Sequence, residues 1–474
     1  PSDEMCLAGA EIIFNLSASD ELIGKEAYRR QLVRQKSATN ACAYVYTGSG
    51  FGESSTDLVF SGTAIIAENG SQLTTSERFS FKEQLIIADI DVQRLQADRL
   101  RNSAFIIGNQ NPNKKNEFET IILNNLGANN IYSEPSDVTR TFAPHPFVPP
   151  EDEMTTRCNE IFSIQVGGLA TRLFHTGIKK AVVGISGGLD STLALLVMVK
   201  TFDKLGLPRE NIVGITMPGF GTTGRTYNNS LNMMKSLGVT IKEVDIKPAC
   251  LQHLKDIDHD LSILDVSYEN TQARERTQIL MDYANKIGGL VVGTGDLSEL
   301  VLGWATYNGD HMSMYAVNTS IPKTLVRYMV KYAALYEMDE AAKETLLDVC
   351  DTPVSPELLP ADDKGEISQK TEDLVGPYEL HDFFIYYTLR FGFSPTKIFF
   401  MAQKAFDGQY DKATILKWMR TFYWRFFAQQ FKRSCMPDGP KVGSVSLSPR
   451  GDLRMPSDAC SKIWIEEVEK LAND

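Results

Sequence analysis

The chain predicts an α/β fold built on a doubly wound parallel sheet, and residues 179–295 carry the prediction. Short runs of strand length, most of them largely apolar, alternate there with stretches of helical spacing, as in a parallel sheet covered on both faces. A glycine-rich loop directly after the first run adds a ligand-binding edge at the carboxyl ends of the strands.

The elements follow in order. KKAVVGI (179–185) reads as a buried strand, SGGLDST (186–192) as a loop and LALLVMVKTFDKL as a helix. NIVGITMP (211–218) is the next strand, followed by a glycine-rich loop and the helix NNSLNMMKSLG. VTIKEVDI (239–246) is a strand, QARERTQILMDYANKIG (272–288) a helix and GLVVGTG (289–295) a strand. Upstream, AEIIFNLS (10–17) and ACAYVYT (41–47) read as buried strands on either side of EAYRRQLVRQKSATN (26–40), which has helical spacing. Asn69-Gly70 within SGTAIIAENGSQL signals a hairpin, and QLIIADIDV (84–92) reads as a further strand. Residues 108–153 are rich in Asn and Pro and poor in periodic apolar positions, so they read as a connection. The expected organisation is therefore a first domain over 1–107, a linker over 108–153 and a second domain over 154–474, helical and aromatic after 375.

Composition narrows the function classes. The 474 residues carry 60 Asp plus Glu against 48 Lys plus Arg, a formal charge of −12, with 43 % hydrophobic and 23 % charged residues. Such ordinary globular composition excludes a disordered or collagen-like chain. A net-acidic surface lacks the field that gathers polyanions, so nucleic acid and anionic membranes are not expected partners, while a local basic pocket for a small nucleotide stays compatible. No apolar run approaches the ~18 residues of a membrane span and no basic-then-apolar signal opens the chain, so a soluble, cytoplasmic protein is expected. Seven scattered cysteines without a CxxC pair suit reduced thiols, not a disulfide frame or zinc site.

The sharpest motif is SGGLDST. Its paired glycines let backbone approach an anion, Ser186, Ser191 and Thr192 supply hydroxyls, and the amides of the helix that follows point at the same place. It lacks the Walker GxxxxGK[ST] pattern, and Asp190 suits a Mg²⁺ ion that bridges phosphates. A plain glycine turn with a hydroxyl cap is the bland alternative. GFGTTG (219–224) competes as a GxGxxG fingerprint, with Asp245 about twenty residues on, and taken alone implies an NAD-dependent dehydrogenase. Against it, the preceding strand is the second of its sheet, Pro218 precedes the loop, and the first strand already carries a phosphate loop. HLKDIDHD (253–260) invites a metal reading, but helical spacing does not gather its ligands on one face, and an acidic surface turn has the same composition.

SGGLDST resembles the pyrophosphatase loop of the ATP-pyrophosphatase superfamily, which adenylates substrates with ATP. GTGDLSELVLGWATYNGDHMSMYAVNTSIPKTLVRY (293–328), YENTQARERTQILMDYAN (268–285), TPVSPEL (352–358) and TEDLVGPYELHDFF (371–384) are similar to NAD synthetase. FKRSCMPDGPKVGSVSLSPRGDLRMPSD (431–458) resembles the end of its glutamine-dependent form. The resemblance implies a ligase that adenylates deamido-NAD with ATP and amidates it with ammonia, giving NAD, AMP and pyrophosphate. It implies ATP contacts from Gly184, Ile185, Ser186, Gly187, Gly188, Leu189, Asp190 and Ser191, and from Arg225, Thr294, Lys323 and Ser355, with Thr222 and Thr223 beside them. Deamido-NAD falls to Asn270, Arg274, Glu299, the stretch Trp304, Ala305, Thr306 and Tyr307, and Lys432; Mg²⁺ falls to Asp190 and Glu299. Plain alternatives stand beside these roles. Arg274 and Arg276 project differently around a helix, so one of them is open to reading as a solvated charge, Trp304 as core packing and Lys432 as part of an aromatic interface helix. GMP synthetase, another ATP-pyrophosphatase amidotransferase, stands as the runner-up.

The first domain, from LAGAEIIFNLSASDELIGK (7–25) onward, resembles the later half of a nitrilase-type glutaminase, in which Ser19 and Lys25 correspond to glutamine-holding residues. That family's Glu, Lys and Cys triad falls upstream of the matching stretch, so no glutaminase catalytic residue is assigned here. With Pro1 in place of an initiator Met, three accounts stand: the other nitrilase-like half is omitted, it is cleaved but stays bound, or the chain is an ammonia-only enzyme with a relic domain; omission is the expectation. A homo-oligomer is also expected.

Overall fold

The computed structural model describes residues 1–54, 56–109, 118–119, 121–122, 137–338, 340–353, 358–359 and 371–473. The chain divides into two compact units, Pro1–Phe142 with Phe391–Phe393, and Ala143–Arg390 with Ser394–Asp474. Much of the 108–153 connection lies outside the described residues.

The first unit holds four strands, β1 (Ile12–Ser17), β2 (Ala43–Gly48), β3 (Ala64–Glu68) and β4 (Ser71–Thr75), in that spatial order. β1 and β2 run parallel, joined by the helix Lys25–Thr39, while β2, β3 and β4 pair antiparallel. Asn69 and Gly70 both take positive φ, 45° and 84°, the pair of left-handed residues that a tight type I′ hairpin requires. Ile13, Cys42, Tyr44 and Ile65 form the core with Val33 from the helix.

QLIIADIDV is not a strand. Leu85 and Ile87 are largely exposed, and residues 83–90 have no ladder. Side chains hold this segment instead. Asp89 Oδ2 accepts from the Thr139 and Arg140 amides, the Asp91 amide donates to Glu68 Oε2 at 2.8 Å, and Asp91 then caps the helix Val92–Arg101. Side chains and amides from other segments, Glu68 and Thr139–Arg140, bond this stretch where a neighbouring strand would have done so.

In the second unit a five-stranded parallel sheet has the order β7 (Thr240–Glu243), β6 (Ile212–Thr216), β5 (Ala181–Gly184), β8 (Leu290–Gly293) and β9 (Tyr315–Ala316). The chain steps outward from β5 through β6 to β7, then returns to place β8 on the other side of β5. The topological switch point therefore lies between β5 and β8. Alternation along β5 and β8 explains their unbroken apolar character. Ala181, Val183, Leu290 and Val292 join one core with the helices Met154–Thr176, Leu189–Leu205 and Lys323–Tyr336, while Val182 and Val291 face a second core with the helices Lys247–Asp256 and Val266–Ile287. Downstream, the helices Tyr378–Ile385, Pro395–Ala405 and Lys412–Ala428 pack through Phe383, Phe384, Phe406 and Phe422. No helix among the described residues is long and apolar enough to cross a membrane.

Candidate active site

The loop after β5 is shaped by two constraints. Gly187 has φ +85°, and a Cβ there would lie 2.1 Å from the Thr226 carbonyl oxygen, so only glycine fits. Gly188 is the N-cap of the helix Leu189–Leu205 and offers no side-chain cap; Ser191 and Thr192 turn their hydroxyls back to its carbonyl at 3.1 and 2.8 Å. The first helical amides thus have no capping side chain, the condition for an anion site. Asn318, fully buried, ties this loop to the one after β8 by donating to the carbonyls of Asp190 at 3.0 Å and Thr294 at 3.1 Å. Gln165 holds Asn318 Oδ1 from behind at 3.1 Å.

A carboxylate cluster stands where the two loops meet. Asp296 caps the helix Leu297–Leu302 by accepting from the Glu299 amide at 2.8 Å. Lys323, at the start of the helix Lys323–Tyr336, sends its ammonium to Asp190 Oδ2 and Asp296 Oδ2, each at 2.6 Å, and to Glu299 Oε1 at 2.9 Å. Burial pushes Glu299 up to about 7 and raises Asp296 well above the usual carboxylate range. Burial works against the Lys323 ammonium too, but its three carboxylate neighbours win and hold it protonated. Three carboxylates thus face a single ammonium, and added positive charge beside them would favour their ionised forms. The ligand oxygens of Asp190, Asp296 and Glu299 lie within 4.8 Å of one another, and the buried Asp190 Oδ1 has no hydrogen-bond partner among the described residues. An all-oxygen donor set with carboxylates in excess of the ammonium fits a hard divalent cation such as Mg²⁺.

These groups open on a cavity of about 660 Å³. Ser186, Asp190, Ser191, Thr222 and Thr294 line one part, and Asn270, Arg274, Trp304, Tyr307 and Lys432 another. The second part is braced by its own bonds. The Thr306 hydroxyl donates to Asn270 at 2.7 Å, Arg274 Nε to the Tyr307 carbonyl at 3.3 Å, and the Arg425 guanidinium lies 5.2 Å over the Trp304 ring.

The NAD synthase family model matches residues 162–340. A glutamine-dependent NAD(+) synthetase of Mycobacterium leprae is 40 % identical over 502 residues, covering 99 % of this chain and 72 % of the relative. The chain belongs to the glutamine-dependent NAD(+) synthetase family. A relative of the same description from Aquifex aeolicus is 25 % identical and covers 96 % of the chain. A glutamine-dependent NAD(+) synthetase structure from Cytophaga hutchinsonii shares the fold, with a TM-score of 0.55 at 18 % identity over 98 % of the chain and 71 % of the neighbour. Membership sets aside the dehydrogenase and GMP synthetase alternatives. GFGTTG follows β6, and within it Thr222 accepts from the Gly219 amide while Thr223 caps the helix Gly224–Ser236.

Of the residues singled out by the likeness to NAD synthetases, Gly184, Ile185, Ser186, Gly188, Leu189 and Asp190 line the cavity. So do Ser191, Thr294, Glu299 and Lys323, and, towards the other part, Asn270, Arg274, Lys432 and the stretch from Trp304 through Ala305 and Thr306 to Tyr307. Gly187 turns the loop without lining it. Arg225 is not among the lining residues; its guanidinium pairs with Asp348 at 2.6 Å. Ser355 lies outside the described residues. Arg274 and Arg276 both line the cavity, Arg276 donating to the Met217 carbonyl at 3.2 Å. The Lys432 ammonium is held by the Gly303 and Ala305 carbonyls at 2.8 and 2.7 Å. In the first unit Ser19 is half-buried and Lys25 pairs with Asp20 at 2.7 Å. In HLKDIDHD, His259 meets Asp265, the cap of the helix Val266–Ile287, at 3.0 Å.

Sequence reasoning missed Asp296, Asn318 and Arg425. Asp296 alone had a local signal, an Asp with Glu three residues on before an apolar run, the signature of a helix start. Asn318 and Arg425 act across more than a hundred residues of chain and leave no local pattern.

Proposed function

We propose that the chain makes NAD from deamido-NAD, ATP and ammonia. The nicotinate carboxylate oxygen attacks the α-phosphorus, the bond to the β-phosphate oxygen breaks and pyrophosphate leaves. Ammonia then attacks the acyl carbon, the bond to AMP breaks, and the nitrogen sheds a proton to give the amide. The observation that carries this reading is the convergence of the SGGLDST loop and the Asp296–Glu299 turn on one buried lysine, at the switch point of the sheet.

In this reading Ser186, Ser191 and the first amides of the following helix hold ATP phosphates, and Lys323 with Arg276 balances their charge. Asp190 and Glu299 are the residues to hold Mg²⁺, which when bound offsets phosphate charge and eases departure of pyrophosphate. Asp296 stays as the counter-charge of Lys323. Asn270, Arg274 and the Trp304–Tyr307 stretch seat deamido-NAD, and the Tyr307 and Phe431 rings, 5.4 Å apart in the cavity wall, help exclude water so that ammonia and not water meets the adenylate. Ser19 and Lys25 are assigned to glutamine as the source of ammonia.

The test supplies the chain with Mg-ATP, deamido-NAD and isotopically labelled ammonium. Labelled NAD, AMP and pyrophosphate in equal amounts are expected; ADP and phosphate in their place would overturn adenylation. Asp190→Ala should lower turnover at least about 100-fold with the circular dichroism spectrum unchanged, by analogy with loss of one strong electrostatic group.

A further inference from the structure

Asp382 lies on the helix Tyr378–Ile385, far in sequence from both nucleotide loops, and is wholly buried. No ion pair among the described residues reaches it. Its Oδ1 accepts from the Ser298 hydroxyl, and its Oδ2 accepts from the Thr324 amide at 2.9 Å and the Thr324 hydroxyl at 2.6 Å. Ser298 Oγ in turn accepts from the Lys323 amide at 2.9 Å. The helix that begins at Lys323 needs these partners, because its N-cap is Pro322, which has no side-chain acceptor. Two first-turn amides are therefore capped by residues from two other helices.

The bonded chain runs from the Lys323 amide through Ser298 Oγ to Asp382, whose other oxygen holds Thr324. Lys323 hangs from it by its own amide, and Glu299 directly follows Ser298, so both partners of the 2.9 Å Lys323–Glu299 contact are set by one buried carboxylate. A backbone bond from the Leu297 amide to the Ile321 carbonyl, 2.9 Å, clamps the same two segments. A neutral side chain would cap helix amides without the desolvation cost of an unpaired buried charge. A carboxylate instead takes three donors at once and puts negative charge at a helix start.

We infer that Asp382 is a positioning residue which, through Ser298 and Thr324, sets Lys323 against Glu299 for the adenylation step. The inference rests on the adenylation reading above. Asp382→Asn keeps the size and shape but offers an amide hydrogen where one donor now points, so the chain cannot close as it stands. Full-length wild type, Asp382→Asn and Ser298→Ala are assayed with Mg-ATP, deamido-NAD and ammonium. Both variants should lose at least about tenfold in kcat while KM for deamido-NAD stays within about threefold, the signature of an interaction needed in the transition state and not for holding substrate. If kcat stays within about twofold of wild type, or if the loss lies in KM for deamido-NAD, the inference fails. Should Asp382→Asn not fold, Ser298→Ala decides by the same criteria. A wild-type chain that forms no NAD under these conditions counts against the adenylation reading itself, whereas an active wild type with full-speed variants counts against Asp382 alone.

Discussion

Two single residues expose how much local chemistry the site and its surroundings demand. Gly187 combines a left-handed φ with a carbonyl 2.1 Å from where a Cβ would sit, so Gly187→Ala should abolish tight ATP binding and cost about 1–3 kcal/mol of stability through strain, read by calorimetric titration and urea unfolding. His381 poses a different problem. It is fully buried among Trp418, Phe422 and Phe384, bonds the Val375 carbonyl through Nε2 at 2.6 Å, and leaves Nδ1 without a partner among the described residues. Burial lowers its pKa to about 4 from an ordinary value of 6.5. Above pH 6.5 folded and unfolded chains are both neutral here and the stability is full; as the pH falls towards 4 only the unfolded chain takes up the proton. That loss amounts to about 3 kcal/mol by pH 4. Denaturant midpoints measured from pH 7 to 4 should fall for the wild type and fall less steeply for His381→Phe.

At the level of elements, the short helix Leu297–Leu302 is held at both ends by groups it does not own. Asp296 caps its start, and its last carbonyls are taken by cations from the helical tail: Arg433 on Leu300 and Val301 at 3.1 and 2.7 Å, Arg425 on Leu302 at 2.8 Å. Cations at a helix end oppose its dipole as well as satisfying its carbonyls. Arg433 is fully buried, and burial lowers it to about 10, which still leaves it charged at neutral pH. Arg433→Met should therefore cost about 2–4 kcal/mol in urea unfolding, because it strands buried acceptors. Lys432→Ala should raise KM for deamido-NAD more than KM for ATP, since its ammonium braces the Gly303 and Ala305 carbonyls beside Trp304. The failed strand at 84–92 teaches the converse at this scale: apolar residues supplied a strand's composition, but acidic side chains bonded the backbone before a neighbouring strand did.

For the whole molecule, the two units have separate cores, one around β1 to β3 and one on each face of the parallel sheet. Scanning calorimetry should resolve more than one transition, and Mg-ATP at 100 times its Kd should stabilise only the second unit, by about 2.7 kcal/mol. Strand and helix periodicity, the glycine loop after β5 and the Asn-Gly hairpin were legible in the amino-acid order because each depends on neighbours within a few residues. Most of the residues named from family motifs line the cavity, although many of the cavity's other residues were not named. Arg225 shows the limit, since its pairing with Asp348 lies 123 residues away and no motif records it. By itself, then, the sequence determined the parallel α/β design, the glycines of the loop after β5, and Asp190 and Glu299 beside it, but not Asp296. Only the tertiary structure decided that Lys323 meets Asp190 across 133 residues, that Asn318 ties the two loops together, and that Asp382 caps a helix whose own cap is proline. The physical reason is that bond-forming distances of about 3 Å between remote segments follow from how helices pack on a sheet, and local propensity carries no information about that packing.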